Sequence, residues 1–457
     1  MLEGNLLTVI LTVAVPMVVT MLVDSLYNMA DAFFVSRLGD AAIAAVGVND
    51  SLMMIMRAIS MGFGVGSASF ISRALGAKRD EEASRAAVTT LYTAMGALAV
   101  FSIFGSIFLL PLVNFLGATE TVRPYSMQYA QWILISAPIA AADTVLSQVL
   151  RAEGSTTYSM IGMATGCVIN IALDPIFIYT LGLGVAGAAI ATDISKAISL
   201  LILFWPFVRR MCVIQLKPTF FTPTKEIYLE IARMGVPTMM RTSMMSISTI
   251  LINNIAASFG DAAMASIAVA NKSLRMVASG VMGFGQGFQP VAGYSYGAKK
   301  YDRVIQAFRY TLIIGAVCAI TLGAALFIFA PAVIRVFSSD PGVMALGLIL
   351  IRTQSAVLIP HVWTMICSGL FQAIGKAMKA GILGLSRQLL VLIPSVLILS
   401  RLFGVTGLAW SQAVADVVSF ALAIGMIVPT IKELLALKRG EIEPPDLVLN
   451  QVEIPAN

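Results

Sequence analysis

GDAAIA at residues 39–44 returns as GDAAMA at residues 260–265, an offset of 221 positions. The same offset carries Pro16 onto Pro237, MGFGVG at 61–66 onto MGFGQG at 282–287, and GAK at 76–78 onto GAK at 297–299. It also carries RAEG, ending at Gly154, onto QAIG, ending at Gly375, while at an offset of 220 GVAG from Gly184 meets GVTG from Gly404. One register held this far marks an internal duplication, so the chain reads as two halves on one plan.

Composition says what solvent the halves occupy. Hydrophobic residues make up 58% of the 457 positions and charged residues only 12%, with a mean hydropathy of +0.89. Soluble domains carry about 25% charge. Apolar stretches such as TLYTAMGALAVFSIFGSIFLLPLV and YTLIIGAVCAITLGAALFIFAPAVI reach the roughly 20 residues that cross a bilayer as a helix. Twelve spans are predicted: 6–35, 43–74, 84–112, 121–150, 157–181, 185–208, 228–258, 264–296, 305–334, 343–373, 378–400 and 404–431. The fold class is thus an all-α membrane protein of two six-helix bundles. Six is even, so both bundles enter from one side and are related by a pseudo-two-fold axis along the membrane normal. The lobes fall at 1–214 and 215–436, and the acidic, proline-rich 437–457 reads as a disordered tail.

Lys and Arg collect in alternate connections, at 73–85, 209–233, 299–309, 376–387 and 432–439, together with Arg151. The opposite connections hold Arg37, Arg123, Arg335 and Arg401. The positive-inside rule then places both termini in the cytoplasm, and it accounts for the net charge of +6 without a nucleic-acid partner. MLEGNLL lacks the basic start of a signal peptide, so the first span is read as retained. The four cysteines, Cys167, Cys212, Cys318 and Cys367, are spaced as isolated thiols. GLGVAG at 182–187 matches a dinucleotide fingerprint in glycine spacing only, because no strand precedes it.

Charge inside the spans is the functional signal. The first half has Asp24, Asp31, Asp143, Asp174 and Asp193, whereas the second offers Asp416 and little else. Acids needed only for the fold would recur in both halves; confined to one, they point to a cation site there. An intramembrane charge costs about 2.5–3.5 kcal/mol and marks ion or proton pathways. Asp24, Tyr27, Asn28 and Asp31 share one helical face. Asp31 has no basic residue within a turn, which suits it to take up and release a proton. Asp174 lies four residues after Asn170 and immediately before Pro175, whose missing N–H frees the Ile171 carbonyl. Such a cluster suits a proton or sodium, and Thr192 could add a hydroxyl. Asp193, three residues before Lys196, reads as half of an ion pair, Asp143 and Asp416 equally as structural or functional, and His361 as a hydrogen-bonded interior residue. Arg241 is expected to snorkel to the cytoplasmic interface.

The duplicated halves, PMVVTMLVDSLYNMADAFFVSRLG at 16–39 and NIALDPIFIY at 170–179 resemble the multidrug and toxic compound extrusion (MATE) family over nearly the whole chain, with motifs closest to its DinF-like and archaeal branch. The resemblance implies an amino-lobe cation site of Tyr27, Asp31, Asn170, Asp174 and Thr192. An aspartate at 24, where relatives often have an amide, and Ser147, where they often have asparagine, are departures. Candidate substrate contacts are Asp24, Asn28, Ser147, Gln148, Met244 and Phe288, with the methionines supplying adaptable walls. No acid stands where the NorM branch has a carboxyl-lobe site.

The reading is a cation-coupled antiporter, using protons or sodium, that exports amphipathic and often cationic organic compounds by alternating access. It would act as a monomer in the cell (inner) membrane, without a cofactor. The alternative is a flippase for lipid-linked saccharides; a channel is less consistent with the asymmetric acids. An intramembrane enzyme lacks any H-E-x-x-H or paired metal-ligand motif.

Overall fold

The fold comes from a computed structural model, which describes residue 2, residues 4–337 and residues 341–443. The expected tail lies outside these from 444 onward, and the residues from 437 continue a helix to Arg439. Among the described residues there is no strand. The helices are α1 Leu6–Ser36, α2 Asp40–Gly76, α3 Asp80–Ile107, α4 Leu109–Phe115, α5 Arg123–Ile135, α6 Ala137–Glu153, α7 Thr156–Pro175 and α8 Gly184–Val208. The second half holds α9 Lys225–Ser258, α10 Asp261–Gly297, α11 Tyr301–Phe337, α12 Pro341–Ala356, α13 Leu358–Ala373, α14 Ala377–Leu385 and α15 Ile393–Arg439. A π turn, Ile176–Thr180, continues α7, and another, Ser386–Leu392, joins α14 to α15.

Among the described residues, seven helical stretches and two bent pairs are long and apolar enough to cross a membrane. One stretch of 63 residues, Ala377–Arg439, breaks at Gly404 (φ 60, ψ −137), making two passes of it. With α9 and α10, the repeat mates of α1 and α2, the twelve-span fold is complete. The protein is a multi-pass, all-α membrane protein.

The duplication extends to the backbone. Gly39 and Gly260 have φ of 101° and 98°, and Lys78 and Lys299 have φ of 61° and 58°. The bent pairs α5/α6 (52°) and α12/α13 (49°) break at Ser136 and Val357, again 221 apart. Pro138 explains the first break: it has no N–H for the Leu134 carbonyl, which instead accepts from Ser102 Oγ at 2.5 Å.

The chain forms two compact units, one of Met1–Val18 with the chain from Met240, the other of Val19–Met239. Both dividing points lie inside a first helix and are repeat mates, whereas 214/215 falls in the connection between sequence halves. Glycines make the packing within each unit possible. A Cβ on Gly66 of α2 would stand 2.4 Å from the Ile231 carbonyl oxygen of α9, and one on Gly287 of α10 would stand 2.4 Å from Ala14 Cα of α1. Only glycine allows backbones so close.

Candidate cation site

The unit Val19–Met239 gathers the predicted acids. Asp174 and Asn170 of α7 and Thr192 of α8 are buried, at 0%, 2% and 6% exposure. They meet because α7 and α8 pack through small residues: a Cβ on Gly166 would lie 2.9 Å from Ser199 Cβ, and one on Gly162 2.5 Å from Leu203 Cδ2. The Asn170 amide, in the orientation that satisfies both its neighbours, donates to Asp174 Oδ2 at 3.1 Å and accepts from the Thr192 N–H at 3.1 Å. The Tyr27 hydroxyl of α1 reaches Thr192. Asp31, one turn further along, is near enough to act electrostatically on both Asp174 and Tyr27. Its Oδ1 is buried and has no hydrogen-bond partner.

A cleft of about 30 Å³ runs beside this cluster, lined by Asp24, Tyr27, Asn170, Thr192 and Lys196 among others. That space suits an ion or a water, not an organic solute. All five residues assigned to the cation site are therefore brought together.

The substrate assignments separate. Asp24 lines the cleft and lies 3.9 Å from Arg57 Nη2. Asn28 is exposed and bonds its own helix, Nδ2 to the Asp24 carbonyl at 2.6 Å. Ser147 is 1% exposed and its hydroxyl pairs with Ser159 Oγ at 2.8 Å. Gln148, also buried, places Nε2 3.5 Å from Met61 Sδ. Met244 is half-buried on α9, whereas its neighbour Met245 lines a cavity of the other unit. Phe288 is fully buried, packing at 6.4 Å against Phe308, so in this conformation it is a core residue and not a cavity wall.

Several readings of charge are corrected. Lys196 does not pair with Asp193: it lies 3.3 Å from Asp143, which also accepts from Ser199 Oγ at 2.6 Å, while Asp193 takes the Ser136 hydroxyl. Arg241 is half-buried, with its stem against Gly384 and its Nε buried. Arg73, counted above as a loop charge, is 7% exposed and pairs with Glu230 at 3.4 Å. Asp416 is held by Arg387 Nε at 2.6 Å and His361 Nδ1 at 2.9 Å, which gives the histidine its interior hydrogen bond.

Asp50 of α2 escaped the sequence reading, as did Tyr129 of α5. Asp50 acts on Asp31 electrostatically, and Tyr129, 2% exposed, feels Asp31, Asp50 and Tyr27. The signal was present in VND at 48–50, an acid just inside the second span.

Comparison with known proteins agrees with this architecture. The MatE family pattern matches residues 16–176 and 237–397, one match in each half. The multidrug export protein MepA of Staphylococcus saprophyticus is 28% identical over 434 residues, 94% of this chain and 95% of that protein. A MATE protein crystallised in the straight conformation superimposes with a TM-score of 0.89 at 30% identity, covering 96% of this chain and 98% of the other. An outward-facing multidrug resistance MATE family transporter of the MOP superfamily gives 0.87 at 30% identity and the same coverage. With both repeats matched and nearly the full length superimposed, the chain belongs to the MatE family.

Proposed function

We propose that this protein is a cation-coupled antiporter that exports amphipathic, often cationic organic compounds. The observation that carries the reading is Asp31 Oδ1, buried without a partner beside the Asp174, Asn170, Thr192 and Tyr27 cluster. A lone carboxylate oxygen in that setting is costly unless a proton or cation satisfies it. Relatives named as multidrug export proteins supply the substrate class.

In this mechanism the cluster takes up its cation from one side, which removes the demand of Asp31 for polar partners. Release on the other side restores that demand, and the two states of the cluster bias α1 toward different shapes. One cation crossing supplies about 2.3 kcal/mol per 100 mV, and each pH unit adds about 1.4 kcal/mol when the cation is a proton. Together they support a substrate gradient of a few hundred-fold. The monomer, with both termini cytoplasmic, is the transporting unit, and no cofactor is needed.

The test is efflux of an aromatic cationic dye from purified protein in liposomes, under separately imposed proton and sodium gradients. Efflux driven by one gradient and lost in Asp31→Asn supports the reading. Equal efflux with no gradient would replace the antiporter by a passive channel.

A further inference from the structure

A second polar cavity, of about 220 Å³, lies wholly within the other unit. Its walls include Ser248 and Thr249 of α9, Asn271 of α10, His361 of α13, Arg387 and Gln388 of the π turn, and Asp416 of α15. Leu274, Leu358 and Leu392 give it an apolar side. At this size it admits a small organic molecule, unlike the ion-sized cleft of the first half.

The charges around it do not cancel. Asp416 spends both oxygens on protein partners: Oδ1 on Arg387 Nε and His361 Nδ1, and Oδ2 on Arg387 Nη2 at 3.2 Å. It has little left to offer an organic cation. Behind Arg387 lies a second guanidinium, Arg241, whose stem packs on Gly384, one helical turn before Arg387. A Cβ at Gly384 would stand 3.0 Å from Arg241 Cδ, so this glycine makes room for the arginine. The two guanidiniums are near enough to repel each other, and Arg241 Nε is buried without a hydrogen-bond partner. Two cations therefore face one saturated carboxylate. Ser248, 3% exposed and lining the cavity, also has an unpartnered hydroxyl. Buried donors and uncompensated positive charge are expensive unless an acceptor meets them.

We propose that this cavity is a binding site for the carboxylate of a small organic anion, with Arg387 as its principal contact, Ser248 as a further donor and Arg241 as the source of the surplus charge. The planar guanidinium fork suits a carboxylate, and the leucines suit an aromatic or aliphatic body attached to it. The site goes beyond the export reading: it concerns binding alone and needs neither a gradient nor Asp31.

The test is equilibrium dialysis of the full chain in detergent with radiolabelled benzoate, set against benzamide, its uncharged counterpart of similar shape. Benzoate is expected to bind at least tenfold more tightly. Arg241→Met should lower benzoate affinity tenfold or more and leave benzamide unchanged, while Arg241→Lys keeps most of the preference. Should Arg241→Met fail to fold, Ser248→Ala gives the second readout, with a several-fold loss for benzoate. Benzoate bound no better than benzamide, or bound equally by wild type and the folded variants, would overturn the site. Because Asp31→Asn leaves this cavity untouched, benzoate should bind that variant as it binds wild type, which separates failure here from failure of the antiporter reading.

Discussion

Lys196 Nζ stands 3.3 Å from Asp143 Oδ2, across the α6/α8 contact, and not beside Asp193 on its own helix. The carboxylate is 2% exposed and also takes the Ser199 hydroxyl, so the ammonium is anchored at the edge of the cleft lined by Asp24, Tyr27 and Asn170. This fixed positive charge lies in the same cleft as Asp24, where it limits what else can bind.

Asp143→Asn should therefore cost more than Asp193→Asn. The first leaves Lys196 without its partner, though the lysine side chain is 41% exposed and water recovers part of the loss, so roughly 1–3 kcal/mol is expected. The second keeps an amide oxygen that still accepts the Ser136 hydroxyl and loses only the charge on that bond, at most about 1 kcal/mol. Thermal unfolding of the two variants in one detergent decides the order; equal shifts would contradict the pairing.

Asp31→Asn and Asp174→Asn should abolish gradient-driven efflux while yielding folded protein. Asp416→Asn should instead lower stability by about 3 kcal/mol through the stranded Arg387, and the protein that does fold should retain coupling. Efflux normalised to folded protein separates these effects, and equal transport losses for Asp174 and Asp416 would indicate cation sites in both halves.

Gly66→Ala and Gly287→Ala should each destabilise by about 1–3 kcal/mol or more, since the new methyl meets backbone at 2.4 Å in both places. Gly96→Ala, where nothing lies within 4 Å on α3, should be neutral or gain about 0.5–1 kcal/mol. Melting temperatures of the three variants provide the comparison.

The thiol of Cys212, in the connection after α8, is pushed up to about 12 by burial and by the neighbouring Glu153 carboxylate. Only the thiolate reacts, so its fraction at pH 8 is roughly a thousandfold below that of a free cysteine. In a variant with Cys167, Cys318 and Cys367 changed to serine, iodoacetamide labelling should be slow at pH 8 and rise about tenfold per pH unit up to about pH 10. Fast labelling at pH 8 would show the thiol to be unshielded.

The duplication was legible because it depends on spacing along one chain, whereas the grouping of Tyr27, Asp31, Asn170, Asp174 and Thr192 across three helices came from the family resemblance and not from spacing. Gly39 and Gly260 keep both sequence and backbone conformation. Asn170 and Asp174 share a helical face by arithmetic alone, and Pro175 advertises its break. What pairs with what across helices was not legible. Lys196 had two acids available, and its choice depends on how far α6 slides along α8. Arg387 looked like a loop charge because nothing in SRQLLVL, residues 386–392, announces the π turn that aims it at Asp416. Phe288 and Gln148 are apolar and polar residues of the kind that line cavities, yet both are consumed by packing within their own units.

Each first helix is divided between the compact units at repeat mates, Val18/Val19 and Met239/Met240. A six-helix half is consequently not an autonomous folding module. Severed in the connection between the halves, each fragment would retain the opening turns of a helix whose glycine seat is on the other fragment, and would leave its own seat vacant. Gly66 and Gly287 then act as reciprocal sockets, in the manner of an exchanged arm in a swapped dimer. Two separately expressed halves should accordingly need each other to reach a stable fold, and the peptide link between them serves mainly to keep the obligate partner at hand.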